Sequence, residues 1–154
     1  DYDRGVLTLD EVTGILSGVN ACPRAKCEEY LRLSIDMQEP VKPTEQLVRD
    51  LKAAGYKLYV LSNMSREFID FLRRFPVYGL FDGEVVSCEE GTVKPEPRIY
   101  EILLERYGLT PSETLFIDDR PANVAAAEAL GIRGFGFDHR DPAAACDALR
   151  RMLL

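Results

Sequence analysis

After Pro40 the sequence alternates short apolar runs with amphipathic stretches of helix length, and this rhythm confines the chain to one class of fold. The run from Lys57 to Leu61 and the run Thr114-Leu-Phe-Ile117 are continuous and of strand length, with Gly83-Glu-Val-Val-Ser87 and Gly134-Phe-Gly-Phe137 as shorter strands. Continuous apolar runs suit parallel strands covered on both faces. Between them lie helical patterns from Pro43 to Ala54, Ser65 to Phe75, Glu96 to Tyr107, Asn123 to Leu130 and Pro142 to Met152. Gly55, Gly108 and Gly131 follow three of these as helix stops. Alternating strand and helix with short links predicts an α/β fold: a Rossmann-like, doubly wound parallel sheet whose ligands sit beyond the carboxyl ends of the strands.

The first forty residues follow a different pattern. Thr8-Leu-Asp-Glu11 has the spacing of a capping box, with Val12, Ile15 and Leu16 behind it, and a second helix starts near Pro23 and runs through Tyr30, Leu31 and Ile35. The expected division is therefore a helical piece over 1–40 and an α/β core over 41–154. A chain of 154 residues with 46% hydrophobic residues can bury one core. The formal net charge of -7 argues against a nucleic-acid partner, whose phosphates would be repelled. Four cysteines without a CxxC pair read as reduced thiols, and with no membrane-length apolar run and no leader pattern the expected compartment is cytoplasmic. The opening Asp1-Tyr-Asp-Arg-Gly5, without an initiator Met, reads as the start of a fragment.

Polar residues follow the apolar runs directly. Ser62-Asn63 ends the first long strand, Asp118-Asp119 ends the second, and Lys94 stands in Gly91-Thr-Val-Lys-Pro-Glu-Pro97 just before a helix. Adjacent carboxylates at a strand end raise one another's pKa unless a cation sits between them, and hard oxygen ligands favour Mg²⁺. Ser62 can donate to a phosphoryl oxygen, and Lys94 can neutralise charge as it shifts in the transition state. Each has a plainer reading: Ser-Asn as a turn or cap, Lys before Pro as a solvated loop residue. His139 reads as a loop residue; Met64 and Arg66 can face a substrate, although capping by Ser65 explains the segment almost as well. Tyr56 and Tyr59 read as core or sheet-face residues.

At these positions the sequence resembles the haloacid dehalogenase-like superfamily, in the branch with a helical cap after the first strand. Val60-Leu-Ser62-Asn63 is similar to its second motif, Val93-Lys94-Pro95-Glu-Pro97-Arg-Ile-Tyr100 to its third, and Phe116-Ile-Asp118-Asp119-Arg-Pro-Ala-Asn123 to its fourth. The resemblance implies phosphate binding by Ser62, Asn63 and Lys94, catalytic roles for Lys94 and Asp119, Mg²⁺ held by Asp119 with Asp118 assisting, and Asn123 where many relatives carry a further acid. It implies a phosphatase acting on a small phosphorylated metabolite through an aspartyl-phosphate. Tyr2-Asp-Arg-Gly5 and Leu9-Asp-Glu11 are similar to the mid-cap of sugar-phosphate phosphatases. The first motif, an apolar strand ending in the nucleophilic Asp, has no counterpart here, so the first, central strand is expected upstream of Asp1, together with the rest of the cap. These residues alone are then expected to be inactive. Two alternatives stay open: a non-catalytic binding module, supported by the absent nucleophile, and a 2-haloacid dehalogenase, against which Asp118 and Asp119 stand because dehalogenases carry Ser-Asn there and need no metal.

Overall fold

The computed structural model describes all 154 residues. Helices α1 (Leu9–Asn20) and α2 (Arg24–Asp36), joined by a short link, pack together as a helical hairpin, and α3 (Lys42–Ala53) leads into the alternating region. There follow β1 (Tyr59–Ser62), α4 (Arg66–Leu72), β2 (Gly83–Val86), the single turn α5 (Ser87–Glu90), α6 (Pro97–Tyr107), β3 (Leu115–Asp118), α7 (Pro121–Ala129), β4 (Arg133–Gly136) and α8 (Pro142–Leu153). Short 3-10 turns at Pro76–Leu80 and Pro111–Glu113 precede β2 and β3. The capping box at the start of α1 forms in full: Thr8 and Glu11 satisfy each other's backbone amides. Ser65 occupies the N-cap position of α4, yet its hydroxyl makes no capping bond, contrary to the expectation from sequence. No helix is long and apolar enough to cross a membrane.

The strands are parallel, as the apolar runs predict, but they do not join into one sheet. β1 pairs with β2 and β3 with β4, giving two separate two-stranded ribbons. Helices cover both faces of this split layer. Leu47 and Leu51 of α3 and Cys146 and Leu149 of α8 pack against Leu58, Leu115, Phe135 and Phe137 on one face. On the other, Ile99, Tyr100 and Leu103 of α6 and Ala127 of α7 pack with Val85, Phe116 and Ile132. A third cluster of Ile69, Val86 and Cys88 lies under α4.

The expectation that both long strands are fully buried is corrected by this arrangement. All four residues of β1 are only half-buried, and Ile117 in β3 is 37% exposed. The cause is an open edge on each ribbon. The carbonyl of Leu58 accepts from Asp82 N, and those of Thr114 and Asp118 accept from Arg133 N and Phe137 N. In a parallel ladder every second residue points to the same side. Tyr59 and Leu61, and likewise Leu115 and Ile117, therefore present their backbone groups away from their partner strands.

Candidate active site

Three loops at the carboxyl ends of the strands carry the polar residues, and Lys94 links them. Its ammonium donates to the carbonyl of Leu61, the residue before Ser62, at 2.8 Å and to Asp118 Oδ2 at 2.7 Å. It thus bridges the end of β1 and the end of β3. The pair is nearly enclosed, with Lys94 and Asp118 side chains 10% and 7% exposed. The ammonium also lies 5.5 Å from the centre of the Phe116 ring, a favourable placement over an aromatic face.

The backbone at Lys94 is held as firmly as its side chain. Asn63 Oδ1 accepts from Lys94 N at 2.7 Å, and Asn63 Nδ2 donates to Lys94 O at 2.9 Å. Asn63, expected from the sequence to bind phosphate, therefore has both ends of its amide occupied in fixing Lys94. Asp118 is likewise engaged: Oδ1 accepts from Arg120 N and from Asn123 Nδ2, each at 2.9 Å. Burial pushes the Asp118 carboxyl upward, but the hydrogen bond from Lys94, the Arg120 amide, the Lys94 charge and the Asn123 amide outweigh it and hold the group below the usual carboxylate range. Asn123 is buried and its carbonyl accepts from the hydroxyl of Tyr100, which stacks edge-on against Phe116 with centroids 5.3 Å apart. So Tyr100, the last residue of the Lys94 motif, braces the Asp118 loop from beneath. Burial and the nearby Asp118 charge raise the Tyr100 phenol to about 12, so it stays a neutral donor.

Asp119 differs from its neighbour. Its side chain is 49% exposed, and its one near partner is His139, whose Nδ1 lies 3.4 Å from Oδ2. The single histidine lies in a loop, as expected, and stands beside the site because β4 brings the segment after Phe137 alongside the end of β3. Sequence reading alone could not foresee this neighbour, as twenty residues separate the two. Ser62 closes β1, directly after the carbonyl that Lys94 engages.

No group of three or more His, Cys, Asp and Glu side chains converges as a ready-made metal cage. Mg²⁺ does not require one: it keeps several waters and is held by one or two carboxylates together with phosphate oxygens. Asp119, an exposed carboxylate without a strong cationic partner, fits that donor requirement; Asp118, with both oxygens already accepting, fits it less well.

The sequence matches the haloacid dehalogenase-like hydrolase family over residues 10–131, and the chain belongs to that family. Its relatives include both phosphatases and dehalogenases. It is 29% identical over 153 residues to a sesquiterpene phosphatase of Aspergillus oryzae, covering 99% of this chain and 77% of that protein. It is 33% identical over 119 residues to haloacetate dehalogenase H-2 of a Moraxella species, 72% of this chain and 51% of that one, so the match spans about half the dehalogenase's length. A HAD family enzyme of Bacteroides thetaiotaomicron, solved in complex with magnesium and inorganic phosphate, superposes with a TM-score of 0.71 at 26% identity, over 89% of this chain and 72% of that one.

Proposed function

We propose that this protein hydrolyses small organic phosphomonoesters with the help of Mg²⁺. The observation that carries the reading is Lys94 Nζ, held between the Leu61 carbonyl and Asp118 at the strand ends, with Asp119, the residue after Asp118, keeping a half-exposed carboxylate. An ammonium fixed in that position can meet a phosphoryl oxygen without reorganising, which is how preorganised charge lowers a barrier. Ser62 donates its hydroxyl to a second oxygen. Asn63 and Asp118 serve by holding Lys94 in place, and Asn123 by holding Asp118. Asp119 would hold the Mg²⁺, which when bound supplies charge neutralisation at the phosphoryl group.

The nucleophile in this reading is an Asp outside residues 1–154, on an extended strand that seats between β1 and β3. The unpaired backbone edges at Tyr59 and at Leu115 and Ile117, and the expectation from the sequence motifs, both support it. The Asp attacks phosphorus, the ester oxygen leaves, and water cleaves the aspartyl-phosphate in a second step. Residues 1–40 act as part of a cap and 41–154 as the hydrolase core. The small phosphorylated metabolite is read as a sugar phosphate from the Tyr2-Asp-Arg-Gly5 resemblance. A second reading, an ester of an apolar alcohol, is favoured by the Aspergillus relative and by a groove of about 670 Å³ on the α1–α2 hairpin lined by Leu16, Tyr30 and Leu33.

The test is turnover of p-nitrophenyl phosphate by the full-length protein, with and without Mg²⁺. Activity lost on chelation and on Asp119→Ala supports the reading, with a decrease of at least about a hundredfold expected for removal of the metal-holding carboxylate. Release of halide from a 2-haloacid that survives chelation would transfer the protein to the dehalogenase side of its family.

A further inference from the structure

The loop that presents Lys94 is shaped by a residue to which the site described above gives no role. Glu96 turns its carboxylate back into its own loop: Oε2 accepts from Thr92 Oγ1 at 2.7 Å and from Val93 N at 3.2 Å. Glu96 N in turn donates to Val93 O at 2.8 Å. These bonds fold residues 92–96 into a closed unit with Lys94 at its apex. From outside, Arg4 grips the same carboxylate with both guanidinium nitrogens, at 2.9 and 2.6 Å, and donates to Gly91 O at 3.2 Å. Such a two-pronged contact fixes orientation as well as distance.

Arg4 belongs to a short segment that is seated against the site loops residue by residue. The Tyr2 hydroxyl donates to Glu67 Oε2 at 2.8 Å, on the helix that follows Ser62-Asn63. The Asp3 carbonyl accepts from the buried Ser87 hydroxyl, whose oxygen itself accepts from Met64 N at 3.0 Å, next to Asn63. Gly5 adopts φ +74°, and a Cβ there would collide with the Cys88 carbonyl, so only glycine lets the chain pass this close. Beyond Gly5 the chain enters α1 within four residues. Residues 2–5 therefore join the helical hairpin to both loops that hold Lys94.

We propose that Glu96 and Arg4 are positioning residues for the hydrolysis proposed above, on which this inference rests. Glu96 sets the conformation of the Lys94 loop, and Arg4 makes that conformation depend on how the α1–α2 hairpin is seated on the core. The side chains of the pair are 32% and 42% exposed, so its contribution to global stability is small and its effect lies in geometry. Misplacing a group that meets the transition state costs far more rate than stability.

The experiment uses the full-length protein with p-nitrophenyl phosphate and compares Glu96→Ala, Glu96→Gln, Arg4→Ala and the double variant Arg4→Ala/Glu96→Ala. Glu96→Ala is expected to lower kcat about tenfold with KM within about twofold, and Glu96→Gln, which keeps an acceptor for Val93 N, to recover to within about threefold of wild type. Arg4→Ala should lower kcat several-fold, and its effect should vanish in the Glu96→Ala background, since both act through one carboxylate. Arg98→Ala, which removes a surface pair with Glu105 on α6, is the control and leaves kcat unchanged. Unchanged kcat in Glu96→Ala, or independent multiplying losses for Arg4 and Glu96, overturns the proposal. Amide exchange at Val93 and Lys94 separates this inference from the phosphatase reading. If wild type turns over no phosphomonoester, the phosphatase reading fails on its own. Faster exchange confined to residues 91–96 in Glu96→Ala still supports the loop-setting role, and unchanged exchange refutes it.

Discussion

Lys94 and Asp118 form the most enclosed ion pair that the strand ends hold, and both are further committed: Lys94 to the Leu61 carbonyl, Asp118 to Arg120 N and Asn123. A buried charge stripped of its counter-ion is costly, whereas an exposed one is not. Asp118→Ala is therefore expected to destabilise the fold by about 3 kcal/mol in denaturant unfolding, because Lys94 is left uncompensated. The double variant with Lys94→Met should recover much of that loss, a coupling that a double-mutant cycle reads directly. The sequence names both residues through their motifs. It gives no hint that Asp118 and Asn63 are occupied with Lys94 while Asp119 stays open, because adjacent identical residues at a strand end differ only in which side of the chain they face.

At the scale of elements, helices α3 and α8 clamp one face of the split layer, and Cys146 and Leu149 of α8 are fully buried there. Leu149→Ala is expected to cost about 2–5 kcal/mol, the range for emptying a large aliphatic site. A second clasp sits at the start of β1. Asp82 accepts from Lys52 of α3, from Leu58 N and from Lys57, and these three hold its carboxyl well below the usual range, Lys52 foremost. A carboxyl whose pKa falls on folding adds stability above its unfolded value of about 3.9, and that stability fades as the pH drops toward the folded value. Thermal unfolding should therefore show Asp82→Asn less stable than wild type at pH 7, with the gap closing as the pH falls below about 4. Helix positions were legible in the sequence from periodicity and from the stops at Gly55 and Gly108, the latter at φ +61°. Asp82 was not, since its partners lie 24 to 30 residues away and meet only when β1 and β2 pair.

Across the whole molecule, the two ribbons are held in one layer by helices and by Lys94 rather than by a shared ladder of hydrogen bonds. Open strand edges exchange their amide protons readily and invite pairing with another strand. Amide exchange on residues 1–154 should thus find Tyr59, Leu61, Leu115 and Ile117 faster than Val60, Ser62, Phe116 and Asp118, and a segment that seats between β1 and β3 should slow the first set selectively. Equal protection of both sets would refute the open gap. The amino-acid sequence determined what local physics decides: the order of helices and strands, the parallel class of the strands, the capping box at Thr8 and the family motifs at Ser62, Lys94 and Asp118-Asp119. Only the tertiary structure decided that the strands form two ribbons, that Lys94 spans them, that His139 neighbours Asp119 and that Arg4 reaches Glu96. These depend on contacts between residues far apart in the chain, and periodicity carries no information about which distant edges and loops will meet.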